Sequence, residues 1–167
     1  VSVFVVSRGV NQLYGISKNM FPPSHERTTL LEEIFTIGKT VGVFSGEYKH
    51  NNKTYEIVDV PGTYSLIPHS EEESVARDFL CFSESDKILI VCDATSLERN
   101  LYFVYQILEL NKETVVCVNL LDEAHRKNIQ INLNTLEKQL GIPVVGTSAS
   151  LGQGLDVLKE KIRNCAE

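Results

Sequence analysis

The stretch Tyr55–Leu66 (YEIVDVPGTYSL) is the part of the chain that decides the fold. It reads as an apolar β-strand that ends near the carboxylate of Asp59 and is followed by Pro61 and Gly62. A carboxylate at the carboxyl end of such a strand can hold Mg²⁺ through water, and a glycine lets a backbone N–H approach a terminal phosphate without a Cβ in the way. Because Asp-x-x-Gly also occurs in ordinary turns, the stretch indicates a nucleotide switch only if further motifs follow it.

Composition and charge limit the classes of protein that the chain can represent. Its 167 residues, 43% of them hydrophobic, predict that residues 1–167 form a single domain with a substantial core. The net charge of −6 and the pI near 5.3 argue against a nucleic acid partner, because phosphate binding requires clustered Lys and Arg. No apolar run reaches the ~20 residues of a membrane-spanning helix, and the sequence shows no signal-peptide pattern. The widely spaced cysteines predict reduced thiols, mostly in the core.

Short apolar runs alternate with amphipathic segments along the second half of the chain. Upstream of them, Val41–Tyr48 and Lys53–Asp59 are predicted to pair as an antiparallel hairpin, and Ser70-Glu71-Glu72-Glu73 is a capping box that opens a helix. Val1–Val6 is compatible with a buried strand, whereas residues 7–37 show no clear period. The downstream elements are predicted as strand Lys87–Cys92, helix Leu97–Leu110, strand Thr114–Val118, helix Thr135–Leu140, strand Pro143–Thr147 and helix Leu155–Ile162.

Regular alternation of strands and helices predicts the fold class. We expect an α/β fold with a doubly wound, mostly parallel sheet, helices on both faces and one antiparallel edge hairpin. The continuous apolar strands suit a sheet that is covered on both sides. Ligands of such sheets bind beyond the carboxyl ends of the strands, which is where the polar motifs of this chain fall.

Two of these motifs have the chemistry of a guanine site. In Asn119-Leu120-Leu121-Asp122, a carboxylate can accept hydrogen bonds from N1–H and the exocyclic amino group of guanine, a pairing that can discriminate on the order of 10⁴-fold. In Thr147-Ser148-Ala149, backbone N–H groups can meet the guanine oxygen. Taken alone, the first motif could equally cap a helix and the second could be an ordinary loop. Their order after Asp-x-x-Gly, at the ends of successive or near-successive strands, favours the nucleotide interpretation.

The chain resembles a known family, the cytosolic GTPase domain of the bacterial ferrous iron transporter B (FeoB). The resemblance runs from about Gly38 to the end, so that residues 38–167 form the family-like core and residues 1–37 match poorly. It is carried by Asp59–Leu66, Ser70–Glu73, Val75–Asp78, Asp93–Leu101, Asn119–Ala124, Leu140–Val145 and Thr147–Ala149. The Pro-Gly-Thr-Tyr-Ser-Leu and Leu-Glu-Arg-Asn-Leu sequences are more specific to this family than the general GTPase motifs are.

The resemblance implies roles for individual residues. Thr40 and Asp59 would hold Mg²⁺, and Thr40 and Gly62 would be the catalytic positions, Gly62 at the terminal phosphate. Leu121 would stand where many GTPases place a Lys whose stem covers the base. The nucleotide-binding set as a whole would comprise Gly38, Lys39, Thr40, Val41, Asp59, Val60, Pro61, Gly62, Asn119, Leu120, Leu121, Asp122, Thr147, Ser148 and Ala149.

The chain departs from the family upstream of these positions. The family's phosphate loop, Gly-x-x-x-x-Gly-Lys-Ser/Thr, is not recognisable. Residues 22–31 echo the loop and its helix, with Arg27 in the Lys position, but Glu26 replaces the second Gly. Either the phosphate loop is lost or residues 1–37 are divergent. The alternative function is therefore a pseudo-GTPase, an interaction module that keeps the fold without nucleotide binding.

The resemblance also implies cofactors, partners and a location. The cofactors would be GTP/GDP and Mg²⁺, with slow GTP hydrolysis coupled to iron(II) uptake. The partner would be the membrane transport domain of the same transporter, and a homo-oligomer is also compatible. The domain would lie in the cytoplasm, at the inner face of the cell membrane. Thr63 follows Asp-x-x-Gly where other GTPases place a water-orienting Gln, so hydrolysis would depend on backbone and magnesium positioning.

Overall fold

The structure, a computed structural model, describes residues 2–7, 44–50, 53–60, 63, 65–82 and 85–164. Its strands form one six-stranded sheet in the order β2-β3-β1-β4-β5-β6. β2 is antiparallel to β3, and the other neighbouring pairs are parallel. The strands are β1 (Ser2–Ser7), β2 (Phe44–His50), β3 (Lys53–Val60), β4 (Lys87–Asp93), β5 (Thr114–Asn119) and β6 (Val144–Gly146).

Helices follow the parallel strands, as the alternating pattern predicts. The α-helices of the described residues are α1 (Glu71–Phe82), α2 (Leu97–Leu108), α3 (Leu121–Arg126), α4 (Leu133–Leu140) and α5 (Leu155–Asn164), and short 3₁₀ turns cover Ala94–Ser96 and Ala149–Leu151. The predicted doubly wound α/β fold with an antiparallel edge hairpin is confirmed. Residues 41–43 of the predicted hairpin lie outside the described residues.

Several element boundaries differ from those predicted. Helix α2 ends at Leu108 rather than Leu110, because the chain turns at Asn111, which adopts a φ of 53°. Helix α4 begins at Leu133, since the Asn132 side chain caps it by accepting from the Thr135 N–H. Helix α3 was not predicted, because its six residues are too short to show a period.

The core lies where helices cover the central strands. Every residue of β5 and all but the last of β4 are buried, as expected for strands covered on both faces. Phe103, Val104 and Ile107 of α2 and Leu136 and Leu140 of α4 belong to the same apolar cluster as these strands. Burial of each large side chain stabilises the fold by about 1.5–3 kcal/mol, which makes the sheet a rigid base for its loops.

Strand β1 lies at the point where the direction of the chain across the sheet changes. It lies between β3 and β4 and runs parallel to both. The chain continues from β1 to one side of the sheet and from β4 to the other, so the two strands flank the topological switch point where ligands of such sheets bind.

Candidate functional site

The register of the strands brings the two proposed guanine motifs together. Asp93 at the end of β4 pairs with Asn119 at the end of β5, and Val118 pairs with Gly146 at the end of β6. The Thr147 N–H continues the ladder by donating to the Val118 carbonyl at 2.8 Å. The loops that follow β5 and β6 are consequently neighbours at the carboxyl edge of the sheet.

Asn119 joins these two loops through its side chain. It is only 1% exposed, and its Oδ1 accepts hydrogen bonds from Thr147 Oγ1 at 2.9 Å and from the Ala149 N–H at 3.1 Å. The hydroxyl of Thr147 also lies 3.2 Å from Cys117 Sγ. Helix α3 takes Leu120 as its N-cap, without a side-chain cap, so the alternative in which Asn119 caps that helix is wrong. Asn119 instead fixes the β6 loop against β5.

Asp122 lies in the first turn of α3 with a buried oxygen. Its backbone N–H donates to Ser148 Oγ at 3.1 Å, which ties the two loops a second time. Its Oδ2 is 3.4 Å from the exposed guanidinium of Arg126. Its Oδ1 is buried and has no hydrogen-bond partner among the described residues. A buried carboxylate oxygen without a donor is costly, so this atom suits a ligand that brings an N–H group.

The backbone N–H groups of the β6 loop already have acceptors within the chain. The Ser148 N–H donates to the Gln153 carbonyl at 3.1 Å, and the Ala149 N–H donates to Asn119 Oδ1. We expected these groups to meet the guanine oxygen. A guanine carbonyl would therefore have to share the Ala149 N–H with Asn119 or replace Asn119 as its acceptor.

Leu121, which is predicted to cover the base, is partly buried. Leu121 packs against the core, and a Cβ on Gly146 would lie 2.5 Å from Leu121 Cδ1. The cause is Leu120, whose left-handed conformation (φ 66°, ψ 34°) turns the chain into α3 immediately after Asn119. Leu121 is therefore a packing residue, and Leu120 is the residue that directly follows Asn119 and its buried polar contacts.

Asp59 is the buried acid of the switch motif. It precedes Val60, the last residue of β3, and points away from the face on which Val58 and Val60 are buried in the core. Its Oδ1 has no hydrogen-bond partner among the described residues, and burial raises the pKa of the Asp59 carboxyl from 3.8 to about 7. A divalent cation would stabilise the ionised form of such a group, so the residue fits Mg²⁺.

Several of the predicted site residues can be placed only in part or not at all. Val60 is 1% exposed and packs into the core, which leaves only its backbone for a ligand. Thr63, directly after the motif, is buried and its hydroxyl donates to the Ser65 carbonyl at 2.6 Å. The predicted residues outside the described part of the chain are Gly38, Lys39, Thr40, Val41, Pro61 and Gly62.

The sequence did not point to two polar residues that organise this edge. Gln106 on α2 accepts a hydrogen bond from the Leu66 N–H at 2.8 Å, and Gln153 supplies the carbonyl that holds the Ser148 N–H. In the sequence, a half-buried Gln of an amphipathic helix cannot be distinguished from the other polar residues that border the apolar face. No sequence signal marks a residue that acts through its main-chain carbonyl.

The sheet order and the placement of the polar motifs at the carboxyl ends of the strands identify the fold of this chain. It is the fold of P-loop GTPases. The FeoB G-domain of Methanococcus jannaschii superposes with a TM-score of 0.79 and 29% identity, over 98% of this chain and 95% of that one. The mGMPPNP-bound NFeoB of S. thermophilus gives a TM-score of 0.82 and 32% identity, over 99% of this chain and 61% of that one.

Sequence comparison identifies the family. The family model of ferrous iron transport protein B matches residues 35–162. The Fe(2+) transporter FeoB of Campylobacter jejuni subsp. jejuni serotype O:2 is 35% identical over 148 residues, which cover 84% of this chain. The chain therefore belongs to the ferrous iron transport protein B family and corresponds to its G domain. It spans 24% of the length of the Campylobacter relative. Among the described residues, no helix is long and apolar enough to cross a bilayer.

Proposed function

We propose that this chain binds GTP and GDP with Mg²⁺ and hydrolyses GTP slowly, as the nucleotide switch of a ferrous iron transporter. One observation carries the proposal: Asn119 and Asp122 are tied by side-chain hydrogen bonds to the Thr147–Ala149 loop, and Asp122 Oδ1 is buried without a partner among the described residues. Two separate sequence motifs thus form one hydrogen-bonded unit, in which Asp122 Oδ1 is left to accept from a ligand.

The chemistry of this unit favours guanine over adenine. The Asp122 carboxylate would accept from N1–H and from the exocyclic amino group, whereas adenine has no hydrogen on N1. Because the Ser148 hydroxyl holds the Asp122 backbone, the carboxylate is positioned before the base arrives. Leu120 is the residue we assign to the face of the base, in place of Leu121. Leu121 itself would contribute indirectly, by packing α3 against Gly146.

The phosphate side of the site would be built around Asp59. Asp59 and Thr40 would hold Mg²⁺, which when bound neutralises charge on the β- and γ-phosphates. Gly38, Lys39 and Val41 would flank Thr40, and the Gly62 N–H would meet the terminal phosphate.

Hydrolysis would proceed without a side-chain base. Thr63 is the residue that follows Gly62, but it is 1% exposed and its hydroxyl is engaged with Ser65. Thr40 and Gly62 would act by orienting the phosphate and the attacking water. GTP hydrolysis without a catalytic arginine is slow in this class, on the order of 10⁻⁴ s⁻¹.

The transport role comes from the relatives. They carry the name Fe(2+) transporter and are much longer than this chain. We infer that nucleotide binding here controls iron(II) passage through a membrane domain of the same transporter, with this domain at the cytoplasmic face and homo-oligomers as a further level of organisation.

A second function is favoured by specific observations on the same residues. The Gly-Lys phosphate loop is not recognisable, and both loop N–H groups that would read guanine are satisfied within the chain. A pseudo-GTPase that has kept this fold as an interaction module would have these features.

Titration with a fluorescent GDP analogue in magnesium buffer separates the two functions. We expect saturable binding that GTP displaces and ATP does not. The Asp122→Asn variant should lose at least about tenfold in GDP affinity and gain affinity for xanthosine diphosphate, because its amide can donate to the 2-oxo group of xanthine. Asp156→Asn, whose side chain is 98% exposed on α5, is the matched control. Absence of binding by the folded chain at millimolar GDP would establish the pseudo-GTPase.

A further inference from the structure

Helix α2 holds the segment that follows Gly62 through a single polar side chain. The Leu66 N–H donates to Gln106 Oε1 at 2.8 Å, across 40 residues of sequence. Gln106 is half-buried and lies beside Ile107, which is fully buried in the core, so its side chain projects from a rigid element. The bond therefore fixes the segment relative to the body of the domain.

Among the described residues of this segment, the other hydrogen bonds given by Thr63, Ser65 and Ile67 are local. Thr63 Oγ1 donates to the Ser65 carbonyl at 2.6 Å and accepts from the Ser65 N–H at 3.3 Å. The Ile67 N–H donates to Ser65 Oγ at 3.0 Å. Bonds between residues two apart shape the turn, but they do not determine where the turn sits on the sheet. Its position depends on the burial of Thr63, on the packing of Leu66 against the core and on the bond to Gln106.

We propose that Gln106 is a positioning residue for GTP hydrolysis. By fixing Leu66 it holds the turn of Thr63, Ser65 and Leu66, which follows Gly62 in the sequence. Under the proposed function, the Gly62 N–H would contact the terminal phosphate. This role rests on the proposed GTPase function. Because GDP lacks the terminal phosphate, Gln106 should affect turnover of GTP and leave the affinity for GDP unchanged. That asymmetry separates a positioning role from a contribution to folding alone.

Three variants test this role in the full chain. Gln106→Leu removes the acceptor and keeps the approximate size, Gln106→Glu keeps an acceptor oxygen, and Gln139→Leu changes an exposed Gln on α4 as the control. We expect Gln106→Leu to lower kcat for GTP roughly fivefold, the effect of losing one ordinary hydrogen bond, with the Kd for GDP unchanged. Amide hydrogen exchange at Leu66 should accelerate by a similar factor. Gln106→Glu should restore both quantities.

Any other result with these variants would contradict a positioning role for Gln106. If Gln106→Leu turns over GTP at the wild-type rate, or if Leu66 stays as protected as in the wild type, the bond does not position the segment. If the Kd for GDP rises in parallel with the loss of kcat, Gln106 supports the fold as a whole and has no specific role. A wild-type chain that binds no GDP would contradict the proposed function itself and this role with it, whereas a binding-competent wild type limits the failure to Gln106.

Discussion

At the scale of single residues, Asp59 shows how burial couples a ligand site to stability. Its pKa is raised to about 7 in the folded chain, while the unfolded chain keeps the ordinary value of 3.8. Between these values the folded state retains a proton that the unfolded state has released, so this group's contribution to the free energy of unfolding falls as pH rises. The contribution is complete below about pH 4 and is lost by about pH 7.

Replacing Asp59 by Asn should remove this dependence. Asn has a similar shape and does not titrate, so Asp59→Asn should gain stability relative to the wild type as pH rises from 4 to 7, by up to about 4 kcal/mol, and hold that gain above pH 7. Urea unfolding of both proteins at pH 5, 6, 7 and 8, without nucleotide or magnesium, measures the difference. A difference that is constant across this range would contradict a buried, raised pKa, and exposed Asp156→Asn should show such a constant difference.

Residues of the candidate site could be proposed from sequence, whereas the polar residues that support it through tertiary contacts could not. Asn119, Asp122 and the Thr147–Ala149 loop follow apolar strands in a fixed order, and the strand register then brings them together. The packing of Leu121 against the core was not predictable, because spacing alone does not reveal the left-handed turn at Leu120. Gln106 was missed because its role depends on a contact 40 residues away in sequence.

At the scale of elements, the loop between β6 and α5 depends on a glycine that no other residue can replace. Gly154 has a φ of +77°, and a Cβ there would lie 2.2 Å from the Gly146 carbonyl oxygen and 3.2 Å from Thr147 Cα. Both contacts are with backbone of the strand end and loop that carry the guanine motif. Relief of the overlap would require this backbone to move.

Gly154→Ala should therefore destabilise the chain far more than Gly152→Ala. Gly152 has a similar φ of +69°, but a Cβ there would have no atom within 4 Å, so its replacement costs only the left-handed conformation, about 1–2 kcal/mol. We expect Gly154→Ala to lower the free energy of unfolding by at least about 3 kcal/mol and to weaken GDP binding, as measured by urea unfolding and the fluorescent GDP titration. If the two variants lose the same free energy of unfolding, the backbone near Gly146 can move to accommodate a Cβ at position 154 without added cost.

Strands and helices with a clear period were predicted within a few residues, and short elements were not. The Asp93–Leu101 motif has a structural explanation that spacing could not supply. Asp93 caps the 3₁₀ turn through the Thr95 N–H, and buried Asn100 donates to the Ser96 carbonyl at 2.7 Å. The family-specific sequence thus builds the β4–α2 connection, and α3 packs beside that turn.

At the scale of the whole molecule, the class of sheet was predictable from sequence, but the central place of β1 in the strand order was not. The alternation after Lys87 implies a parallel sheet, yet nothing in the sequence places Ser2–Ser7 at its centre. The comparison of residues 22–31 with the phosphate loop rests on the sequence pattern, with Arg27 in the Lys position and Glu26 in place of the second Gly, and these residues lie outside the described part of the chain.

Nucleotide binding at this edge should stabilise the whole domain, because the site joins loops from strands on both sides of β1. A ligand that binds only the folded state adds about 2.7 kcal/mol to the free energy of unfolding at 100 times its Kd, which for a domain of this size raises Tm by roughly 5–10 °C.

We expect differential scanning calorimetry to show this rise in Tm with GDP and Mg²⁺, and no rise with ATP. The Asp122→Ala variant should show no rise with GDP, because its loops retain the Asn119 bonds but lack the carboxylate proposed to read the base. A shift of equal size with ATP would mean that phosphate contacts alone hold the nucleotide and that Asp122 does not read guanine. If no nucleotide changes the Tm, the stability of the domain comes from its packed core alone. That result would favour the second function, a pseudo-GTPase that acts as an interaction module.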